Sequence, residues 1–288
     1  MASALELAWY NGKITPLSHV HISPLDRGYL FGDGVYEVIP VYAGKALGQQ
    51  QHVMRLRRSL SAIELKLALS DSDIHTALDA LVVANGGGDM SLYVQVSRAG
   101  DDGRDHRFPG AGNTNVFAMS CALTPPSIDT YRAGLKAITM TDERWLRCDI
   151  KSTSLLANVL ARQQADRNDA AEAVLLRDGH LIEGATSAIA CVVDDALLIP
   201  PQSPMLLPSI TRELAIECAL NASIDVHESA VPEHTLRNCD ELILMSSTRE
   251  VAPLVMLDDQ PVGNGEPGPV WERLFTAYQH LKTNGHCA

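Results

Sequence analysis

The chain has 288 residues and a formal net charge of −12, with 46% hydrophobic and 20% charged residues. That length allows one large domain or two smaller ones with proper cores, in a composition ordinary for a soluble globular protein. The negative charge argues against nonspecific binding to nucleic acid or to an anionic membrane, since both need basic patches. It leaves room for a small anion in a local basic pocket. Six cysteines (Cys121, Cys148, Cys191, Cys218, Cys239 and Cys287) form no CxxC pair and match no zinc spacing. No metal site is expected, and the thiols read as reduced, in a cytosolic protein. The N-terminus lacks the basic region and apolar core of a signal peptide, and no apolar run is long enough to span a bilayer.

In chain order, residues 7–15 read as a hairpin, with Asn11-Gly12 supplying a tight turn. Residues 26–34 form a glycine-punctuated loop that feeds the strand VYEVIPVY, turned at Ala43-Gly44. Val53, Leu56, Leu60, Ile63 and Leu67 recur by three and four, which predicts an amphipathic helix over 49–67. A second helix runs from Asp71 to Ala84 and stops at Asn85-Gly86-Gly87-Gly88. Strands follow at 90–98 and 115–122, separated by a polar loop that contains Arg104-Asp105-His106. Pro125-Pro126 then breaks the pattern. It divides the chain into a smaller N-terminal domain at 1–122, a linker at 123–128 and a larger C-terminal domain at 129–288.

The second half opens with a strand at 134–141 and an irregular stretch through Lys151. Leu155, Leu156, Val159 and Leu160 then recur at helical spacing. Strands separated by turns at Arg177-Asp178-Gly179 and Asp194-Asp195 come next, followed by a helix opened by Ser209. A strand at 223–228, a short helix at Pro232, a strand from Glu241 that runs into the hydroxyl cluster Ser246-Ser247-Thr248 within 241–251, and a helix at 269–281 close the chain. The alternation reads as mixed α/β in two parts.

Four features carry chemistry. Lys151 falls where an irregular stretch turns helical, with Ser152 or Ser154 available as a cap. The positive field of a helix start and burial would both lower its pKa, and a neutral amine is a nucleophile. Taken alone, such a lysine is an ordinary surface residue. Arg104 and His106 stand two apart, so on an extended segment they face the same way, as an anion trap would require. By composition alone they belong to an exposed charged loop. Glu183 lies between apolar strand residues, either facing solvent or buried with a partner. The helix after Ser209 offers free first-turn N–H groups to an anion.

The run RWLRCDIKSTSLLAN closely resembles the Schiff-base lysine segment of the fold-type IV enzymes that use pyridoxal 5′-phosphate, and within them most resembles the D-amino-acid aminotransferases. DRGYLFGDGVYEV, HVMRLRRS, the RDH loop, LIEGATS and LLPSITR support the same resemblance, which spans about Trp9 to Leu254. It implies a two-domain α/β fold of this class. Lys151 becomes the Schiff-base and catalytic residue. Arg55, Glu183, Leu207, Ile210, Thr211, Ser246 and Ser247 become cofactor-binding, with Glu183 on the pyridine nitrogen and the helix start as a phosphate cup. Tyr36, Arg104 and His106 become substrate-binding. The Arg104/His106 loop is expected to reach the neighbouring site of a homodimer, and the kinetics to be ping-pong. Two positions depart from the family pattern: Ala188 stands where many relatives have asparagine, and Ser209 where many have glycine. Alternatives are a branched-chain L-amino-acid aminotransferase, an aminodeoxychorismate lyase and a cofactor-holding protein without turnover. Arg104 with His106 favours the D-amino-acid reading over the first two.

Overall fold

The computed structural model describes residues 3–100, 103–109 and 114–285; Cys287 lies outside them. Two compact units emerge. The first comprises residues 1–125 together with Ile150–Leu155, the second residues 126–149 and 156–288. A division drawn in chain order places Lys151 with the second half. Here the short extended segment that carries it packs into the first unit, because Val35 and Ser152 form a β-bridge and Ile150 joins the first core.

The first unit is built on a six-stranded antiparallel sheet, in the order β2-β1-β6-β5-β3-β4. Its strands are β1 (Ala4–Tyr10), β2 (Lys13–Pro16), β3 (Gly34–Tyr42), β4 (Lys45–Ala46), β5 (Met90–Arg98) and β6 (Thr114–Ala122). The β1–β2 hairpin turns at Asn11 (φ 44°) and Gly12 (φ 93°), both positive as a type I′ turn demands. Asp26 caps a one-turn helix, α1 (Arg27–Phe31), inside the stretch read from sequence as loop. Gly32 ends α1 in the left-handed region, and a Cβ there would collide with Ser154 Oγ. Helices α2 (Gln49–Ala62) and α3 (Asp71–Ala84) accompany the sheet. Val53, Leu56 and Leu60 of α2 and Ile74, Leu78 and Leu81 of α3 are buried in its core. The α2 helix stops before the predicted residue 67, because Glu64 takes a positive φ of 53°. Ile63 and Leu67 pack on the core from non-helical backbone.

The second unit holds a nine-stranded mixed sheet. Its strands are β7 (Leu135–Thr141), β8 (Glu172–Arg177), β9 (His180–Gly184), β10 (Ala188–Val193), β11 (Ala196–Ile199), β12 (Val226–Glu228), β13 (Glu241–Ser246), β14 (Glu250–Leu257) and β15 (Gln260–Pro261). The order is β12-β11-β10-β13-β14-β7-β8-β9, with β15 on β14. The strand that runs from Glu241 into the hydroxyl cluster is one arm of a hairpin. Ser247, Thr248 and Arg249 form its turn, and Ser246 pairs with Glu250. The helices are α4 (Leu156–Arg167), α5 (Ile210–Asn221), α6 (Glu233–Arg237) and α7 (Pro269–Asn284). The apolar run that marks α4 is not its buried face. Leu156, Val159 and Leu160 are 73%, 59% and 62% exposed, while Ala161 and Ala165 pack on Ala173 and Leu175.

Candidate active site

Within the first unit, Lys151 lies outside any helix or strand, and α4 begins only at Leu156. Its carbonyl accepts the Tyr36 N–H at 3.0 Å, and its own N–H donates to Ser59 Oγ at 3.2 Å. These bonds tie the segment to β3 and α2 and bring Lys151 Nζ to 4.3 Å from the centre of the Tyr36 ring. Tyr36 stacks on Tyr93 across β3 and β5 at 5.5 Å. The two serines considered as caps serve elsewhere: Ser154 Oγ donates to the Gly32 carbonyl, and Ser152 is buried at the bridge to β3.

Arg55 lies on the buried side of α2. Its Nε donates to Glu37 Oε1 at 2.7 Å and its Nη2 to Glu37 Oε2 at 2.6 Å. His52 Nδ1 meets the same carboxylate at 2.7 Å. Burial alone would raise the Glu37 pKa, but Arg55 and His52 together hold it at about 2. Burial lowers the pKa of His52, and facing a carboxylate its Nδ1 is the donor. Neither Glu37 nor His52 stood out in the sequence. The available signal was Glu37 itself, a lone charge in an apolar strand.

Arg104 and His106 are exposed in the same unit. The Arg104 guanidinium carbon and the His106 ring each lie 5.1 Å from the Phe31 ring centre.

Within the second unit, Glu183 is buried on β9. Its Oε1 accepts Arg144 Nη1 at 2.6 Å, and its Oε2 accepts the Leu207 N–H at 3.1 Å. Burial pushes its pKa up to about 7, more than these two donors pull it down. Arg144 is shared, since its Nε and Nη2 bond Asp142 at 2.9 and 3.0 Å. Arg177 adds a 2.9 Å bond to Asp142. The Leu207 contact places Glu183 beside the turn that leads to α5. There Ser209 caps the helix by accepting the Arg212 N–H at 3.2 Å. Ile210 and Thr211, both buried, open the helix, and their N–H groups have no intrahelical acceptor. Ser246 ends β13 and accepts the Arg249 N–H at 3.4 Å, with Ser247 next in the turn. Arg144 and Asp142 also escaped the sequence reading, because the Arg144–Glu183 pair that draws them in joins residues far apart in sequence.

The donor set fits a phosphorylated pyridine aldehyde. Taken unit by unit, the first offers a primary amine on Lys151, and the second offers a buried carboxylate with one shared arginine and a helix start with N–H groups that lack an intrahelical acceptor. Among the described residues no His, Cys, Asp and Glu cluster suits a metal ion. No described helix is long and apolar enough to cross a membrane.

A family profile described as amino-transferase class IV matches residues 34–256. A D-alanine aminotransferase from Bacillus licheniformis is 38% identical over 272 residues, covering 94% of this chain and 95% of that protein. The branched-chain amino acid aminotransferase of Escherichia coli superposes with a TM-score of 0.91 at 22% identity, over 98% of this chain and 96% of the other. That of Thermobaculum terrenum, solved in its PLP form, gives 0.86 at 23% identity, over 97% and 94%. These structural likenesses extend the fold-type IV architecture to both sheets described above. With the profile covering most of the chain, and sequence identity to a relative running nearly end to end, the chain belongs to the class IV aminotransferase family.

Proposed function

We propose that this chain transaminates D-amino acids, such as D-alanine or D-glutamate, onto a 2-oxo acid with pyridoxal 5′-phosphate as cofactor. The observation that carries the reading is the 38% identity to a D-alanine aminotransferase over 94% of the chain. The branched-chain structures are too distant in sequence to bear on substrate.

When bound, the cofactor supplies an electron sink for the carbanion at the substrate's Cα. Lys151 Nζ holds the cofactor and then takes the Cα proton; its place beside the Tyr36 ring supports this role. Glu183 pairs with the pyridine nitrogen. A buried carboxylate pushed up to about 7 gains its charged form most readily from one more cationic N–H. The Ile210 and Thr211 N–H groups, Ser246, Ser247 and Arg55 hold the phosphate, and Leu207 backs the ring. The Arg55 fork is anchored by Glu37, which fixes its direction. Tyr36, Arg104 and His106 hold the substrate carboxylate.

The functional unit is a homodimer in which the Arg104/His106 loop serves the neighbouring site. Supporting this are the exposure of that loop and the solvent-facing Leu156, Val159 and Leu160. The protein works in the cytoplasm, in keeping with five free cysteines among the described residues.

The test is D-alanine consumption with 2-oxoglutarate as acceptor, by wild type and by Lys151→Ala. The variant should lose at least about 10²-fold in rate. Full activity in Lys151→Ala, or a wild type that consumes L-leucine and not D-alanine, would overturn the reading.

A further inference from the structure

The segment 103–109, which carries Arg104 and His106, is not a free surface loop. Its backbone bends around one side chain, Arg27 of α1. Arg27 Nη1 donates to the Asp105 carbonyl at 2.5 Å and to the Arg107 carbonyl at 3.2 Å, and Nη2 donates to the His106 carbonyl at 3.3 Å. The third nitrogen, Nε, bonds Asp33 at 2.8 Å. Asp33 is held in turn by Arg98 Nε at 3.0 Å. The guanidinium is therefore committed on every nitrogen, and three of its bonds go to consecutive carbonyls. Its side chain is only 8% exposed. Gly100, just before this segment, lies over the Arg27 stem. A Cβ at that position would come within 3.1 Å of Arg27 Cγ and 3.3 Å of Cδ.

Two aromatic contacts complete the seat. Phe31, one turn along α1, has Arg27, Arg104 and His106 all within about 5 Å of its ring centre. At the far end of the segment, Phe108 lies 3.7 Å from the Arg98 guanidinium carbon. The two side chains meant to grip a carboxylate thus share a platform on the helix that also carries the clamp.

We propose that Arg27 is the positioning residue of the carboxylate trap: by gathering the carbonyls of Asp105, His106 and Arg107 it sets Arg104 and His106 against Phe31 in the arrangement that receives a substrate carboxylate. The proposal rests on the D-amino-acid reading above. Arg27 serves the loop and not the substrate, since each of its three nitrogens is already bonded to Asp33 or a loop carbonyl. Arginine is required because a planar fork can serve several carbonyls and a carboxylate at once, whereas a lysine ammonium has three donors on a flexible stem.

The test uses the holoenzyme and four variants: Arg27→Lys, Phe31→Leu, Arg104→Ala and the double variant Arg27→Lys/Arg104→Ala. Arg27→Lys should raise the KM for D-alanine roughly ten- to a hundredfold, the cost of a misplaced binding group, with kcat within about twofold. In the Arg104→Ala background the same change should shift KM by less than about twofold, because the trap is already broken. Amide hydrogen exchange over 103–109 should quicken in Arg27→Lys. An unchanged KM in Arg27→Lys, or an equal KM shift with and without Arg104, would overturn the proposal. If Arg27→Lys does not fold, Phe31→Leu decides by the same KM criterion, since it removes the platform and keeps an apolar side chain. A wild type that does not turn over D-alanine removes the substrate reading instead. Loop exchange then judges the clamp alone, and exchange that matches wild type in Arg27→Lys overturns it.

Discussion

Glu37 in the first unit and Glu183 in the second are both buried against an arginine, and the two carboxylates end at opposite extremes. Glu37 is held at about 2, Glu183 at about 7. Burial acts on both in the same direction, so the difference lies in the donors. Glu37 has two guanidinium nitrogens of Arg55 and the Nδ1–H of His52. Glu183 has one nitrogen of Arg144 and one backbone N–H, and Arg144 turns its other two nitrogens to Asp142. An arginine divided between two carboxylates leaves each of them less stabilised than one that faces a single partner. The first unit thus contains an ion-pair cluster that fixes an arginine. The second contains a carboxylate short of positive charge, which is what a pyridinium partner would complete.

The largest expected effect breaks the Glu37 cluster. Glu37→Gln leaves the Arg55 charge buried without a carboxylate, and should cost about 3–5 kcal/mol in denaturant unfolding. Next, Glu183→Gln should lower the transamination rate by about 10²-fold, the scale set by removing one stabilising charge from an active site. Its unfolding midpoint at pH 8, measured without cofactor, should be at or above that of wild type. Loss of stability comparable to Glu37→Gln would contradict the contrast.

The two sites should also answer pH in opposite windows. Glu37 has a lowered folded pKa, so its contribution to stability is present above about 4.5 and is lost as pH falls through about 2. Glu183 has a raised one, so its contribution is full below about 4.5 and is lost as pH rises through about 7. Urea unfolding of the cofactor-free protein between pH 5 and 8 should show Glu183→Gln gaining on wild type as pH rises. The smallest effect belongs to an ion pair left in water. Arg132 and Asp129 bond at 2.5 Å with both side chains more than 70% exposed, and Arg132→Ala should leave the melting temperature unchanged.

Local chemistry was the part most legible from the sequence. The hairpins at Asn11-Gly12, Asp178-Gly179 and Asp194-Asp195 appear where turn residues demand them, because positive φ values are a property of those residues. The helices α3 and α7 follow from apolar spacing and their end signals. The end of α2 was hidden because the apolar pattern continues through Ile63 and Leu67 after the helix has stopped. The leucines that reveal α4 proved exposed, since spacing marks a helix without saying which face has a partner. Motif resemblance supplied the site residues, and their neighbours were mostly out of its reach. Arg144 meets Glu183 across 39 positions and Arg27 meets the His106 carbonyl across 79. Such pairings depend on the folded chain, and a lone charge in an apolar strand is the only trace they leave.

The most direct test of the central claim is the visible absorbance of the purified protein loaded with pyridoxal 5′-phosphate, before and after D-alanine and, separately, L-leucine. A yellow band that bleaches with D-alanine, is indifferent to L-leucine and is absent in Lys151→Ala is the predicted result. Bleaching by L-leucine alone, or a band that persists in Lys151→Ala and still responds to D-alanine, would contradict it.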